Sequence, residues 1–368
     1  DFFFMLSGFV ISYAYDDRWG KMTIGDFFKR RLIRLHPMII IGTIIGVVAF
    51  LIGGRHQWSG AVTPYSWVMV SMLLTMFLIP AVPGAGYEVR GNGEMYPLNG
   101  PSWSLFFEYI GNILYALVFR HLPTCVLCIL CAGAAIFTLD FTLGWDMFGI
   151  LPYGPQYHVK GGWSLDPEQI YLGFTRLLYP FLCGLIISRI LSKRRSEDNP
   201  SGSPIRVKGG FIWTSLILIT ILSIPCIGGK DGVANGAYQA VMILIAFPLI
   251  VLMGAGSSIK NPGLAKICKF LGDISYPIYI THYPLIYMHM GFVAEHPDAP
   301  VWIQVASAAG VFFMSIILAF GVFKAFDEPA RQWLTDHWLK GEQKLPLWIK
   351  VTAGALIAAA VALIIFKP

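Results

Sequence analysis

Charge is what this sequence has least of. Only 13% of its 368 residues are Asp, Glu, Lys or Arg, about half the share of an ordinary soluble domain. Meanwhile 56% are AVILMFWYC, and the mean hydropathy is +0.63. A water-soluble globule of this size has too little interior to hide so much apolar surface. A cytosolic enzyme, a secreted scaffold and a disordered chain are therefore excluded. Polar–apolar alternation is also missing. The apolar runs are continuous, which excludes a β-barrel. Cysteine is sparse, with six in the chain, and the sequence offers no disulfide framework. Cys125, Cys128 and Cys131 lie in TCVLCILCAGAAIF, a run without His, Asp or Glu, and read as small packing residues rather than metal ligands. No HExxH, GxSxG, Walker or dinucleotide-binding pattern is present, and no internal repeat. The fold class that remains is all-α, a polytopic transmembrane helical bundle with the lipid bilayer as partner. The net charge of +6 follows from loop topology and calls for no nucleic acid.

A crossing helix needs about 20 apolar residues. Segments 1–15, 38–53, 66–80, 103–120, 123–141, 174–191, 211–227, 237–254, 275–293, 301–323 and 347–366 qualify as candidates, which predicts about ten crossings. The basic stretches 16–37, 189–210, 254–273 and 324–350, with Arg120, hold 21 of the 27 Lys and Arg residues. The positive-inside rule places them in the cytoplasm. Segments 103–120 and 123–141 then form a hairpin turning at Arg120, and both 54–65 and 81–102 fall outside. Segment 66–80 must start and finish on one side, so it is expected to be re-entrant or half-crossing and to line a cavity. Residues 1–335 are expected to form one membrane domain. Residues 336–368 would be a polar connector, DHWLKGEQK, and an accessory helix.

Four motifs carry chemistry. In FFKRRLIRLHP, Arg31 and Arg34 are three apart and project from one helix face beside Arg30. Paired guanidiniums suit a multiply charged phosphate ligand, although anchoring to anionic headgroups is the alternative. In NGPSWSLFFEY, Trp103, Ser104 and Glu108 occupy the outer start of a span, after a turn at 99–102 in which Ser102 is a candidate N-cap. A carboxylate at the membrane boundary is costly, and it can hold a substrate, act as a base or pair with Arg. In DISYPIYITHYPLI, Ser275, Tyr276, Tyr279 and His282 make a polar stripe on an apolar span, with His282 a candidate base or a packing residue. In FKAFDEPARQWL, Asp327 and Glu328 end a long span beside Pro329 and Arg331, which reads as a helix stop with a local ion pair. The outer stretch 142–173, with Trp145, Tyr153, Tyr157, Trp163 and Asp166, reads as an interfacial aromatic belt or a sugar contact.

In order, DFFFMLSGF, FFKRRLIRLHP, WSLFFE, SYPIYITH and FDEPAR resemble the acyltransferase-3 family of integral membrane O-acyltransferases, over roughly residues 1–335. The resemblance implies transfer of an acyl group, commonly acetyl, from cytoplasmic acetyl-CoA or another acyl-CoA to a hydroxyl of a carbohydrate such as a surface polysaccharide. It implies a bacterial cytoplasmic (inner) membrane. Arg30, Arg31 and Arg34 would hold coenzyme A phosphates. Trp103, Ser104 and Glu108 would shape the acceptor site, and Tyr276, Tyr279 and His282 would line the passage between. The thioester is already activated, so no metal is expected. The family's further N-terminal span, bearing an Arg and the expected catalytic His, would precede Asp1. Among the residues present, His282 and Glu108 are the candidate catalytic groups. A transporter or flippase without covalent chemistry is the competing expectation, supported by the half-helix near 66–80. An inactive remnant is another.

Overall fold

A computed structural model of the chain describes residues 1–341, apart from 152–155, Arg206, Lys208, Lys230, Asp231, Ser258 and Lys260. The expected helix at 347–366, Tyr153 and part of the polar connector lie outside the described residues. Among the described residues the structure is helical, with a single isolated bridge between His56 and Val62. The helices are α1 (Phe2–Tyr15), α2 (Ile24–Ile52), α3 (Tyr65–Met76), α4 (Ser102–Leu117), α5 (Thr124–Leu143), α6 (Pro167–Lys193), α7 (Gly210–Ser223), α8 (Val233–Val241), α9 (Phe247–Ala255), α10 (Pro262–Glu295), α11 (Val301–Val322) and α12 (Glu328–Leu334). A π turn joins α8 to α9, and another joins α11 to α12. Among the described residues, six helical stretches are long and apolar enough to cross a membrane: Ile24–Ile52, Ser102–His121, Thr124–Leu143, Pro167–Lys193, Val233–Ala255 and Val301–Leu339.

The chain divides into two compact units, with the division falling inside α4 between Trp103 and Ser104. The first holds Asp1–Met22, Ser104–Gly162 and Asp166–Ala265. There α1 lies along α6. Small residues permit this approach, as is usual between helices in lipid. A Cβ on Gly8 would overlap the Phe181 carbonyl, and one on Gly184 the Met5 carbonyl. Arg189 on α6 gathers the end of the hairpin between α4 and α5. Its guanidinium donates to the carbonyls of Leu122 and Phe119 at 2.7 and 3.0 Å and pairs with Asp16 at 3.2 Å. Cys131 is buried against the Tyr179 carbonyl, while Cys125 and Cys128 are exposed. One of the three therefore packs at a helix seam.

The second unit holds Thr23–Trp103, Trp163–Leu165 and the chain from Lys266. Its long helix α2 opens with a capping box, in which Thr23 accepts from the Asp26 amide and Asp26 from the Thr23 amide. The expected span began at 38, after a basic loop ending in Pro37. Instead the helix runs unbroken from Ile24 through Pro37, because the missing N–H and ring clash of an interior proline are tolerated where neighbouring helices compensate. Helix α10 runs beside α2 in the same direction: Tyr276 meets Leu35, Ile280 faces Gly42, and Tyr287 shares a cavity with Phe50. Helix α3 is 12 residues long, or about 18 Å, which fits the expected half-crossing. After it the backbone reverses at Leu78, where φ is +53°, and the segment to Leu98 folds back over a core of Phe50, Val68, Val89 and Leu98.

Candidate functional site

The arginines sit at the start of α2. Arg31 is only 9% exposed, whereas Arg30 and Arg34 are exposed. Arg34 interacts electrostatically with Arg31, Arg331, Asp327 and Tyr276. The structure thus adds a residue that the linear motif concealed. Asp327 and Arg331 were expected to end a span as a local ion pair. The pair exists, at 2.8 Å, but the helix does not stop there. It continues through a π turn at Phe323–Asp327, through α12 and on to Leu339, and α12 packs on α2. The extra residue of a π turn shifts the register of the side chains that follow. Two guanidiniums, Arg331 and Arg34, therefore converge on one carboxylate, with Arg31 beside Arg34. Arg331 Nε and Asp327 Oδ1 are buried without a hydrogen-bond partner among the described residues. Next to Arg331 a cavity of about 410 Å3 opens, lined also by Lys269 and Lys340 and by the carboxylates of Asp273, Glu328 and Asp336. The cavity's three cations are matched by three carboxylates, with Lys269 paired to Asp273 and Lys340 to Asp336, so the unmatched Nε of Arg331 and the neighbouring Arg34 and Arg31 are what this end offers an anion.

From this end a half-buried polar line runs along α10. Tyr276 Oη donates to the Leu35 carbonyl at 2.7 Å, and Tyr279 Oη to the Pro101 carbonyl at 3.3 Å. The two tyrosines tie α10 to α2 and to the turn before α4. Ser275, expected in the same stripe, is exposed and bonds the Gly272 carbonyl. Asn99 donates to the Ile280 carbonyl at 3.0 Å. Asn99 and Ser102 are both 0% exposed, yet Asn99 Oδ1 and Ser102 Oγ have no partner among the described residues. Ser102 is thus a buried hydroxyl in the first turn of α4, and it does not cap the helix. Burial of unmatched polar atoms is costly and marks places where a ligand or water supplies the missing bond. His282 Nδ1 lies 3.0 Å from the Ile278 and Tyr279 carbonyls. Two acceptors at that nitrogen place the ring proton on Nδ1, so Nε2 keeps its lone pair.

The remaining expected residues divide between the units. Trp103 begins α4, with its amide on the Gly100 carbonyl. Ser104 and Glu108 belong to the first unit, where Ser7 of α1 donates to Glu108 Oε1 at 3.2 Å. The structure brings Arg31, Arg34, Tyr276, Tyr279 and His282 into one unit. The missed residues are Arg331 and Asn99. The FDEPAR motif held the signal for the first, and the turn NGPS for the second.

Long apolar helices define an integral membrane protein, and one of its units carries an arginine cluster beside a line of polar side chains. The chain belongs to the acyltransferase-3 family: the family model, described as an acyltransferase domain, matches residues 1–324. It is 25% identical to a Bacillus subtilis (strain 168) protein named "Putative peptidoglycan O-acetyltransferase YrhL" over 301 residues, covering 78% of this chain and 43% of that protein. It is also 31% identical to "Protein 2 in picA locus" of Rhizobium radiobacter over 126 residues, covering 32% of this chain and 62% of that protein. The chain thus spans less than two thirds of the length of either relative. No solved structure gave a significant match.

Proposed function

We propose that this acyltransferase domain transfers an acyl group, acetyl in the first instance, from cytoplasmic acyl-CoA to a hydroxyl of a carbohydrate on the outer side of a bacterial inner membrane. The observation that carries the donor is the pairing of Arg34 and Arg331 on Asp327, with Arg31 beside Arg34. In this reading Arg31, Arg34 and Arg331 bind the phosphates of coenzyme A, and Arg30 adds a general positive field. A bound thioester supplies an acyl carbonyl already activated for attack. Asn99 and Ser102, buried with unmatched oxygens, orient polar groups along the passage. His282 Nε2 takes the proton of the acceptor hydroxyl, as its tautomer allows. Glu108 is the second candidate for that role. Trp103 and Ser104, with Tyr276 and Tyr279, shape the path of the substrate. The peptidoglycan named for the Bacillus relative supports a carbohydrate acceptor.

Titration of the detergent-purified full chain with coenzyme A tests the donor. Arg31→Ala, Arg34→Ala and Arg331→Ala should each weaken binding about 10- to 100-fold, the worth of a lost charge-assisted contact. Unchanged affinity in all three would overturn the assignment.

A further inference from the structure

At the other end of α2 and α10, far from the arginines, lies a second cavity of about 500 Å3. Its walls are Ala49, Phe50 and Ile52 of α2, the loop residues His56, Gln57, Trp58 and Gly60, Arg90, and the face of α10 from Tyr287 to Glu295. The volume falls in the range of small-ligand sites. From Arg34 to Phe50 there are 16 residues of continuous helix, or about 24 Å. The cavity and the arginine cluster thus stand nearly a bilayer core apart along one helix.

We infer that this cavity binds an uncharged pyranose segment of the acceptor, at the membrane face opposite the donor phosphates. The inference rests on the acyl-transfer reading for the word acceptor, and on the cavity itself for the sugar. A pyranose ring has faces of C–H bonds and a rim of hydroxyls. It is matched by flat aromatic walls with planar hydrogen-bonding groups between them. Here Trp58 and Phe292 supply the walls over a floor of the buried Phe50 and Tyr287 rings, and Gln57, His56 and Glu295 the polar groups.

Trp58 is the residue that argues most for a ligand. It is 42% exposed, yet its backbone is fixed. Its amide donates to the Arg90 carbonyl at 3.0 Å, and the adjacent Gln57 amide to the Ala61 carbonyl at 2.8 Å. The indole lies 6.3 Å from the Tyr287 ring, tilted against it. A large aromatic held in place but left uncovered by its own chain is a preformed wall.

The charges define the ligand class. Arg90 is buried, and its guanidinium lies 3.6 Å over the Tyr287 ring. Its Nε donates to the Pro97 carbonyl. Glu94, which accepts from Tyr287 Oη, and Glu88 both act on Arg90 electrostatically. Glu295 adds a further carboxylate at the exposed rim. Among the described lining residues Arg90 is balanced by Glu295, and Arg90 is already engaged by Glu94 and Glu88 behind the wall, so an acidic sugar or a phosphate gains no net charge here. A purely apolar occupant would leave Gln57 and Glu295 unmet.

The test uses the full chain in nanodiscs and four probes: chitotetraose, cellotetraose, maltotetraose and, as the acidic counterpart, tetragalacturonate. At least one neutral tetramer should bind more tightly than tetragalacturonate. Trp58→Ala and Gln57→Ala should each weaken that binding about tenfold or more, with coenzyme A affinity unchanged. A diazirine derivative of the bound tetramer should cross-link the wild-type chain within 53–60 or 287–295, which reads the site even where a variant fails to fold. Silence of all three neutral tetramers, preference for tetragalacturonate, or cross-links confined to other segments would each overturn the proposal. Coenzyme A titration of the same samples separates the two readings. If it is insensitive to Arg31, Arg34 and Arg331 while the sugar results hold, acyl transfer fails and the sugar site stands. The opposite pattern removes the sugar site alone.

Discussion

Among single residues, geometry separates arginines that the motif treats alike. Arg331 pairs with a buried carboxylate and has an unmatched Nε, so the shape of its fork should matter as well as its charge. Arg331→Lys keeps the charge but loses the planar donor set. It should weaken coenzyme A binding about tenfold, whereas Arg30→Ala, at an exposed position, should change it less than about threefold. Equal losses in calorimetric titration would mean that only net charge is read. In the proposed reaction His282 is the base. His282→Ala should lower turnover of labelled acetyl groups by about 100-fold or more with coenzyme A affinity intact, and full turnover at normal expression would remove it as the base. Glu94 should report on pH. Burial is the largest influence on its carboxyl and raises it above the ordinary range, against the opposing Tyr287 hydrogen bond and the Arg90 charge. A raised carboxyl favours the folded state in acid, and that advantage fades as pH climbs from about 4.3 through the raised value. Glu94→Gln removes this titration, while Glu88, Arg90, Tyr283 and Tyr287 remain around it. The melting temperature of the Gln variant relative to wild type should therefore rise with pH across that window. A constant difference would show that Glu94 titrates normally.

The elements show what local signals carry and where they stop. Continuous apolar runs identify the helices, and ten of the eleven candidate segments coincide with helical residues in the described region. Prolines misled. Pro37 and Pro329 read locally as helix stops, but α2 and the α11–α12 stretch run through them, because tertiary packing outweighs a single breaker. The π turns leave no trace in composition, yet one of them precedes Arg331 and moves it into the site. Spacing alone put the arginines of α2 on one helix face but left headgroup anchoring and phosphate binding both open. Their partner was not legible, since contact between distant segments has no local signature. The cavity at Trp58 was hidden for the same reason: it joins a short loop to the end of α10. Helix seams are testable at this scale. Gly184→Ala would press a methyl into the Met5 carbonyl and should destabilise the chain by about 1–3 kcal/mol. Gly133→Ala on α5, where a Cβ meets nothing within 4 Å, should be neutral or stabilise by about 0.5–1 kcal/mol. Matched losses in thermal unfolding would mean that the α1–α6 seam is looser than its glycines indicate.

At the scale of the whole molecule, function depends on which ends face which side. The basic stretches hold most of the Lys and Arg residues, so the proposed topology puts the arginine cluster in the cytoplasm and the Trp58 cavity outside. The native cysteines can test this. Cys125 and Cys226 are exposed and Cys268 partly so. Cys125 follows the Arg120 turn, and Cys268 lies in a basic stretch, so both belong inside, whereas Cys226 follows α7 and belongs outside. In right-side-out vesicles, with single-cysteine variants, a membrane-impermeant maleimide should label Cys226 and spare Cys125 and Cys268 until the vesicles are opened. The same method decides the parity of α3. At about 18 Å it is too short for a hydrocarbon core of about 30 Å, so the chain on either side of it should emerge on one face. Ser59→Cys and Val82→Cys, both at exposed positions, should then label together from outside. Labelling of one and protection of the other would make α3 a full crossing. Every later helix would then change sides, and the donor and acceptor ends would no longer lie where acyl transfer across the membrane requires them.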